Sequence, residues 1–270
     1  MTTVIFSAIA IFLYLLAAGW LGYRVFKLHL NSRGLKTQLV AVGSAALLLH
    51  ALVLYQSIMT ATGFNLGFYN ALSLMSWVVA LFVVFVALIK PVENLAVVFL
   101  PAAALALTLE LFFPSEHILP DSYTLGLRLH ILLSITAYSL LAIAALQSIT
   151  LAIQEHQLRH KHPVRAMRIL PPMQTMEELL IQILAIGFFL LSLSLVTGLM
   201  FVHDFFAQHL IHKTVLSILA WLIFGMMLWG KWAKGWRGRK LIYWTLGGFL
   251  TLMLAYFGSK MVLELILHRV

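Results

Sequence analysis

The sequence predicts an all-α integral membrane protein, a bundle of about eight transmembrane helices with both termini on the outer side. The chain is 62% hydrophobic and only 10% charged, and its mean hydropathy is +0.99. Soluble domains carry roughly 25% charged residues. Eight apolar stretches each approach the ~20 residues that a helix needs to cross a bilayer. Because lipid offers no hydrogen-bond partners, each of these crossings must be helical.

The predicted spans form one transmembrane domain over residues 1–270, with no soluble domain and no convincing internal repeat. They run approximately over residues 4–23, 38–60, 69–89, 94–112, 125–153, 179–201, 213–230 and 241–267. The fifth span is long enough that it should tilt or protrude. The basic stretch 155–178 is a candidate for a short amphipathic helix on the membrane surface.

The distribution of basic residues predicts the orientation. Most of the 18 Lys and Arg lie in loops on one side of the predicted membrane. Those at or near the opposite face are Arg128, Lys213, Lys260 and Arg269. Basic loops stay in the cytoplasm, so both termini are expected outside. The net charge of +9 is therefore a topology signal, and no nucleic-acid partner is expected.

The absence of cysteine limits the covalent bonds and metal sites that this chain can form. It excludes disulfides, thiolate metal sites, a thiol redox relay and covalent c-type haem attachment to this chain. The first apolar run has no basic residue before it and no small-residue cleavage site. We therefore expect an uncleaved first span and not a signal peptide.

His130 is the first candidate functional residue. It lies about one turn inside the outer end of the fifth span, two residues after Arg128. Its helical face continues through small and polar positions, which suits helix contacts or a ligand. These positions are Ser134, Ala137, Tyr138 and Leu141.

His268 lies at the outer end of the last span, on a face where polar residues recur every four positions. That face consists of Tyr256, Lys260, Glu264 and His268. Ionisable residues in a membrane helix face the bundle interior or water. One interpretation is that Lys260 and His268 extend to the interface while Glu264 pairs with Lys260. The other is that two imidazoles at equal depth, His130 and His268, bind a flat haem axially from its two faces.

Other polar residues leave alternatives open. His50, near the middle of the second span, is either hydrogen-bonded to a neighbouring helix or a second haem position or relay. A cluster in the loop between spans six and seven is a candidate transition-metal site if that loop is helical. This cluster contains His203, Asp204, His209 and His212, with Glu110 and Glu116 as possible contributors from the adjacent outer loop.

The chain resembles the cytochrome c assembly membrane proteins of CcsA/CcmC type, and in its layout the small HemX-type and YpjD-type members. In the C-terminal third the resemblance rests on His212-Lys213-Thr214, Trp221, Gly235-Trp236-Arg237-Gly238-Arg239-Lys240, Gly247-Gly248-Phe249, Tyr256-Phe257-Gly258 and Leu267-His268. Upstream, Gly63-Phe64-Asn65, Ser76-Trp77 and His130 with Ser134 and Tyr138 are similar to earlier helices of the family.

The resemblance implies a protein of the bacterial inner membrane that handles non-covalent haem b at its outer face. His130 and His268 would be the axial iron ligands, with His50 and Arg128 as further candidate haem contacts. Where haem-delivering members have a Trp-rich loop, this chain has Phe205 and Phe206, which would replace that platform only in part. Haem-lyase activity is therefore not expected.

Two other functions remain open at this stage. One is a regulatory or scaffolding membrane protein that has lost haem binding and contacts another membrane or periplasmic protein. The other is an ion or solute transport function that would use Lys260, Glu264 and His50. The expected partners are otherwise haem and membrane lipid.

Overall fold

The computed structural model describes residues 2–27, 32–60, 63–89, 93–113, 118–120, 125–159, 172–201 and 208–258. Within these ranges eight helices are long and apolar enough to cross a membrane. The predicted fold class, an all-α integral membrane bundle, is confirmed. The helices are α1 (Thr2–Lys27), α2 (Ser32–Ile58), α3 (Phe68–Ile89), α4 (Glu93–Phe112), α5 (Leu125–Arg159), α6 (Met173–Phe201), α7 (Gln208–Lys234) and α8 (Arg239–Met253), and a π-helical turn (Leu254–Gly258) follows α8.

The described residues form two compact units, and the first contains α1 to α4. Each of these helices packs on two neighbours, in the cyclic order α1, α2, α3, α4. Tyr14, Leu100 and Leu107 are fully buried between them. Large apolar side chains such as Phe12 and Phe85 are exposed on the outside, as expected of helices that face lipid.

Three short strands lie at one end of the first unit, which we call the strand end. They are β1 (Met59–Thr60), β2 (Gly63–Asn65) and β3 (Ile118–Pro120), paired antiparallel in the order β1-β2-β3. Sequence analysis placed β1 at the end of the second predicted span (38–60) and β2 and β3 in loops, so it predicted no strand. The strands follow the ends of α2 and α4, so the sheet joins the two connections at this end of the unit.

The second unit contains α5 to α8 and the π-helical turn. These helices also pack in cyclic order, and the most extensive contact is between α5 and α6. Leu141, Leu184 and Phe224 are fully buried. The length predicted for the fifth span is confirmed, since α5 has 35 residues.

Two predicted segments are described only in part. The bounds expected for a surface helix, 155–178, were wrong, because α5 continues to Arg159 and α6 begins at Met173. The residues between them lie outside the described part. The last regular helix ends at Met253 and widens into the π-helical turn, while residues 259–267 of the predicted span are not described. A single domain over 1–270 stays a prediction.

Adjacent glycines in α8 should respond oppositely to replacement by alanine. A Cβ on Gly248 would lie 2.7 Å from Cε1 of Phe224, a fully buried ring with little room to move. Overpacking of this kind costs about 1–3 kcal/mol. A Cβ on Gly247 meets nothing within 4 Å, and alanine favours the helix by about 1 kcal/mol. Thermal unfolding in one detergent should show Gly248→Ala less stable than wild type, and Gly247→Ala equal or more stable. Equal stability of both variants would contradict this packing.

The orientation can be tested by cysteine labelling, because the chain has no cysteine of its own. Thr2→Cys and Ala233→Cys place single thiols on exposed residues at opposite ends of the predicted topology. A membrane-impermeant maleimide should label Thr2→Cys in spheroplasts and Ala233→Cys only after the membrane is permeabilised. The reverse pattern would place both termini in the cytoplasm.

Candidate functional site

The side chain of His130 projects from the second turn of α5 toward α6. Its Nδ1 lies 2.8 Å from the backbone carbonyl oxygen of Ser194. A carbonyl oxygen only accepts hydrogen bonds, so Nδ1 carries the proton and Nε2 carries the lone pair. Within the described part of the chain Nε2 has no hydrogen-bond partner. This is the arrangement in which a histidine ligand is oriented for a metal by a backbone carbonyl.

Glycine on α6 permits this close approach. A Cβ added to Gly198 would lie 2.9 Å from Cε1 of His130 and 3.2 Å from its Nδ1. One turn earlier on α5, the ring of Phe201 covers Gly126 in the same way. Because neither glycine has a side chain, α5 and α6 come close enough for the imidazole to reach a main-chain carbonyl.

The predicted polar face of α5 is confirmed as a surface for helix contacts. Ser134 lies one turn after His130, and its Oγ is 2.7 Å from Oγ of Ser194. The Tyr138 hydroxyl donates to the carbonyl oxygen of Leu252 at 2.7 Å. This face therefore binds α6 through His130 and Ser134, and α8 through Tyr138.

The proposed haem ligand pair is described only in part. His268 lies outside the described residues, as do Phe205, Phe206, His203, Asp204, Lys260, Glu264 and Glu116. Arg128 is described and exposed on the first turn of α5. The convergence of His130 and His268 therefore stays a prediction.

The candidate metal cluster near the start of α7 is also described only in part. The prediction required this segment to be helical. The backbone is helical from Gln208, so His209 and His212 meet that requirement, although their side chains are not described. The placement of Glu110 in an outer loop was wrong, because it belongs to α4 and is buried, while its role in a metal site stays a prediction. Among the side chains that are described, no group of three or more His, Asp or Glu is placed to hold a metal ion.

His50 has a different environment from His130. It is fully buried, its Nδ1 lies 3.1 Å from the Tyr14 hydroxyl and its Nε2 lies 2.9 Å from Oγ of Ser73. Both ring nitrogens are therefore engaged by hydroxyl groups on α1 and α3. An iron ion could bind His50 only after one of these hydrogen bonds had broken. The structure agrees with the interpretation of His50 as a histidine bonded to neighbouring helices.

The glycine-containing turn between α7 and α8 is held by carboxylates that sequence reasoning missed. Gly235 and Gly238 have φ angles of 64° and 57°, which favour glycine. The Gly238 N–H donates to Oε1 of Glu177 on α6 at 2.8 Å. Glu155 on α5 forms an ion pair with Arg239 at 3.3 Å. The signal available in the sequence was the presence of these two acidic residues together with a basic turn.

These observations define the class of protein: a multi-pass inner membrane protein with eight candidate spans among its described residues. Residues 39–267 match the family described as "Cytochrome C assembly protein", and the chain belongs to this family. It is 37% identical over 223 residues to "Inner membrane protein YpjD" of Escherichia coli (strain K12), covering 82% of this chain and 84% of that protein.

A second relative comes from Azospirillum brasilense, "Uncharacterized 28.8 kDa protein in nifR3-like 5'region". It is 33% identical over 141 residues, which is 52% of each chain. No solved structure matches the chain significantly. The family resemblance stated from the sequence is thereby confirmed.

The hydrogen bond from Tyr138 to Leu252 should contribute measurably to stability. Tyr138→Phe removes the donor and leaves a buried carbonyl, at a cost of about 1–3 kcal/mol in the free energy of unfolding. Tyr243→Phe, on an exposed residue of α8, is the matched control and should change stability by less than about 0.5 kcal/mol. Thermal unfolding in a single detergent measures both. Equal effects of the two substitutions would show that this hydrogen bond does not stabilise the contact between α5 and α8.

Proposed function

We propose that this member of the cytochrome c assembly family binds haem b non-covalently, with Nε2 of His130 as an axial iron ligand. The observation that carries the proposal is the hydrogen bond between Nδ1 of His130 and the Ser194 carbonyl. That bond selects the neutral tautomer in which Nε2 has a free lone pair, which is the form of imidazole that binds iron.

The surroundings of His130 fit a ligand role better than a purely structural one. A histidine that serves only to join two helices commonly uses both ring nitrogens, as His50 does. His130 uses one nitrogen and is only half-buried. Gly198 leaves room for the ring against α6, and the Ser194 carbonyl fixes its orientation. A fixed orientation of the ligand strengthens metal binding.

The second axial ligand in this proposal is His268, at the outer end of the last span. Its assignment comes from the family resemblance. Arg128, two residues before His130 and exposed, is a candidate for a haem propionate, because guanidinium groups bind carboxylates well. Phe205 and Phe206 are candidate contacts with the porphyrin face. His50 is left out because both its nitrogens are occupied.

The proposed role is to hold or pass on haem, without catalysis of bond formation. Haem bound here would supply an iron centre with two axial nitrogen ligands. The chain has two phenylalanines where haem-delivering relatives have a tryptophan-rich loop, so presentation of haem for covalent attachment is not proposed.

The proposal can be tested by absorption spectroscopy of protein purified from cells supplied with haem. Wild type should show the sharp reduced-state bands of iron with two histidine ligands. His130→Ala should lose them. His156→Ala is the matched control, since His156 is an exposed histidine on the same helix, and its spectrum should equal that of wild type.

A subtler variant separates orientation of the ligand from its presence. Gly198→Ala retains the imidazole but crowds Cε1, so haem affinity should fall about 10–100-fold, as when supporting contacts of other metal ligands are removed. Wild-type protein without haem, or an unchanged spectrum in His130→Ala, would overturn the proposal. The first result would favour a regulatory or scaffolding role.

A further inference from the structure

An open cavity of about 780 Å³ lies at the end of the second unit where α5 ends, α6 begins and α7 turns into α8. Residues 234–240, the turn between α7 and α8, form most of its lining. The last turn of α5 and the first turns of α6 form the rest. We call it the basic cavity, because its lining contains five cationic side chains: Arg159, Lys234, Arg237, Arg239 and Lys240.

The two carboxylates in the lining are engaged by groups of the protein itself. Oε1 of Glu155 forms ion pairs with Arg159 at 2.8 Å and with Arg239 at 3.3 Å. Oε1 of Glu177 accepts a hydrogen bond from the Gly238 N–H at 2.8 Å. These contacts hold the turn against α5 and α6. The cavity wall is therefore fixed by the fold, and two arginines offset the charge of Glu155.

The other three cations of the lining remain available to a ligand. Lys234, Arg237 and Lys240 are exposed and form no ion pair with a described residue. The Lys234 ammonium lies 4.9 Å from the centre of the Trp229 ring. The Lys240 ammonium lies 5.6 Å from the centre of the Trp236 ring. Contact with a ring orients an ammonium group without neutralising it. Five cations against two acids give the lining a net charge of +3, which favours an anion.

The surroundings of the basic cavity place it at the depth of lipid headgroups. It lies between the end of one candidate membrane span, α7, and the start of the next, α8. Trp229, Trp232 and Tyr243, close to it in sequence, are each more than half exposed, and such side chains are typical of the boundary between hydrocarbon and headgroups. Leu158 and Met173 add apolar side chains to the lining. A small soluble anion would leave these two without a partner, whereas a lipid would contact them.

We propose that the basic cavity binds the phosphate headgroup of an anionic phospholipid, with Arg237 and Lys240 as its main contacts. A guanidinium group binds phosphate through two parallel hydrogen bonds, and an ammonium group adds a compact charge. This end of the helices is the one predicted to be cytoplasmic, and anionic lipids give the cytoplasmic leaflet its negative surface. The site is distinct from His130, which lies 25 residues before Glu155 on α5.

The proposal can be tested by native mass spectrometry, which counts the lipids bound to purified full-length protein. Protein freed of lipid in a non-ionic detergent is titrated with phosphatidylglycerol, and separately with phosphatidylcholine. Both lipids contain a phosphate, but only phosphatidylglycerol has a net negative charge. Wild type should bind the first phosphatidylglycerol more tightly than the first phosphatidylcholine, by about fivefold for each Lys or Arg that contacts it.

Substitutions of single residues distinguish a site from general attraction between charges. Arg237→Gln and Lys240→Gln should each weaken binding of the first phosphatidylglycerol about fivefold. Lys231→Gln is the matched control, because Lys231 is a cation at the same end of α7 that does not line the cavity. It should bind as wild type does. Leu158→Trp fills part of the cavity without a change of charge and should also weaken binding. Leu158 is 53% exposed, so the larger ring need not disturb the core.

Several outcomes would overturn the proposal. Equal affinities for the two lipids, or equal losses in Arg237→Gln and Lys231→Gln, would leave only general attraction between a basic surface and anions. Unchanged binding in Leu158→Trp would place the lipid elsewhere. Displacement of the lipid by millimolar inorganic phosphate would assign the cavity to the free ion. An acidic polypeptide retained from the membrane in place of lipid, and lost in Arg237→Gln, would assign it to a protein partner. No haem is added, so these results are independent of the proposed function.

Discussion

This structure depends on one constraint: lipid offers no hydrogen-bond partner, so every polar group in the membrane must find its partner within the protein. Backbone groups meet it by forming helices. Side chains meet it through contacts between helices, as Ser134 does with Ser194 and Tyr138 with the Leu252 carbonyl. Every polar atom without a partner in such an interior therefore has a cost that only a ligand, a proton or water can offset.

The two intramembrane histidines show how the same side chain acquires different capacities under this constraint. His50 uses both nitrogens within the first unit, so iron could bind it only after one of these hydrogen bonds had broken. His130 uses only Nδ1 within the second unit. Its Nε2 is the atom that suits a metal-bearing ligand. Count and position of histidines along the chain do not distinguish these cases, because the difference lies in the neighbouring helices.

Small residues set how closely those neighbours approach. Gly198 admits the imidazole of His130, and Gly248 admits the ring of Phe224. Gly235 and Gly238 serve another purpose, since their positive φ angles form the turn that ends α7 and begins α8. Acidic residues on α5 and α6 then hold that turn. The family's glycine-rich turn is thus explained as a helix junction.

Sequence alone was sufficient for the eight spans and the length of α5, because a bilayer demands about 20 apolar residues per crossing whatever the packing. It was also sufficient for the family, which rests on short motifs in the chain. It also singled out His130 and His50. Tertiary structure decided their partners, since Ser73 lies 23 residues from His50 and Ser194 lies 64 residues from His130. The Ser194 contact is a backbone carbonyl, which no residue pattern reveals. Hydropathy identifies which segments enter the membrane, but only packing determines which faces meet.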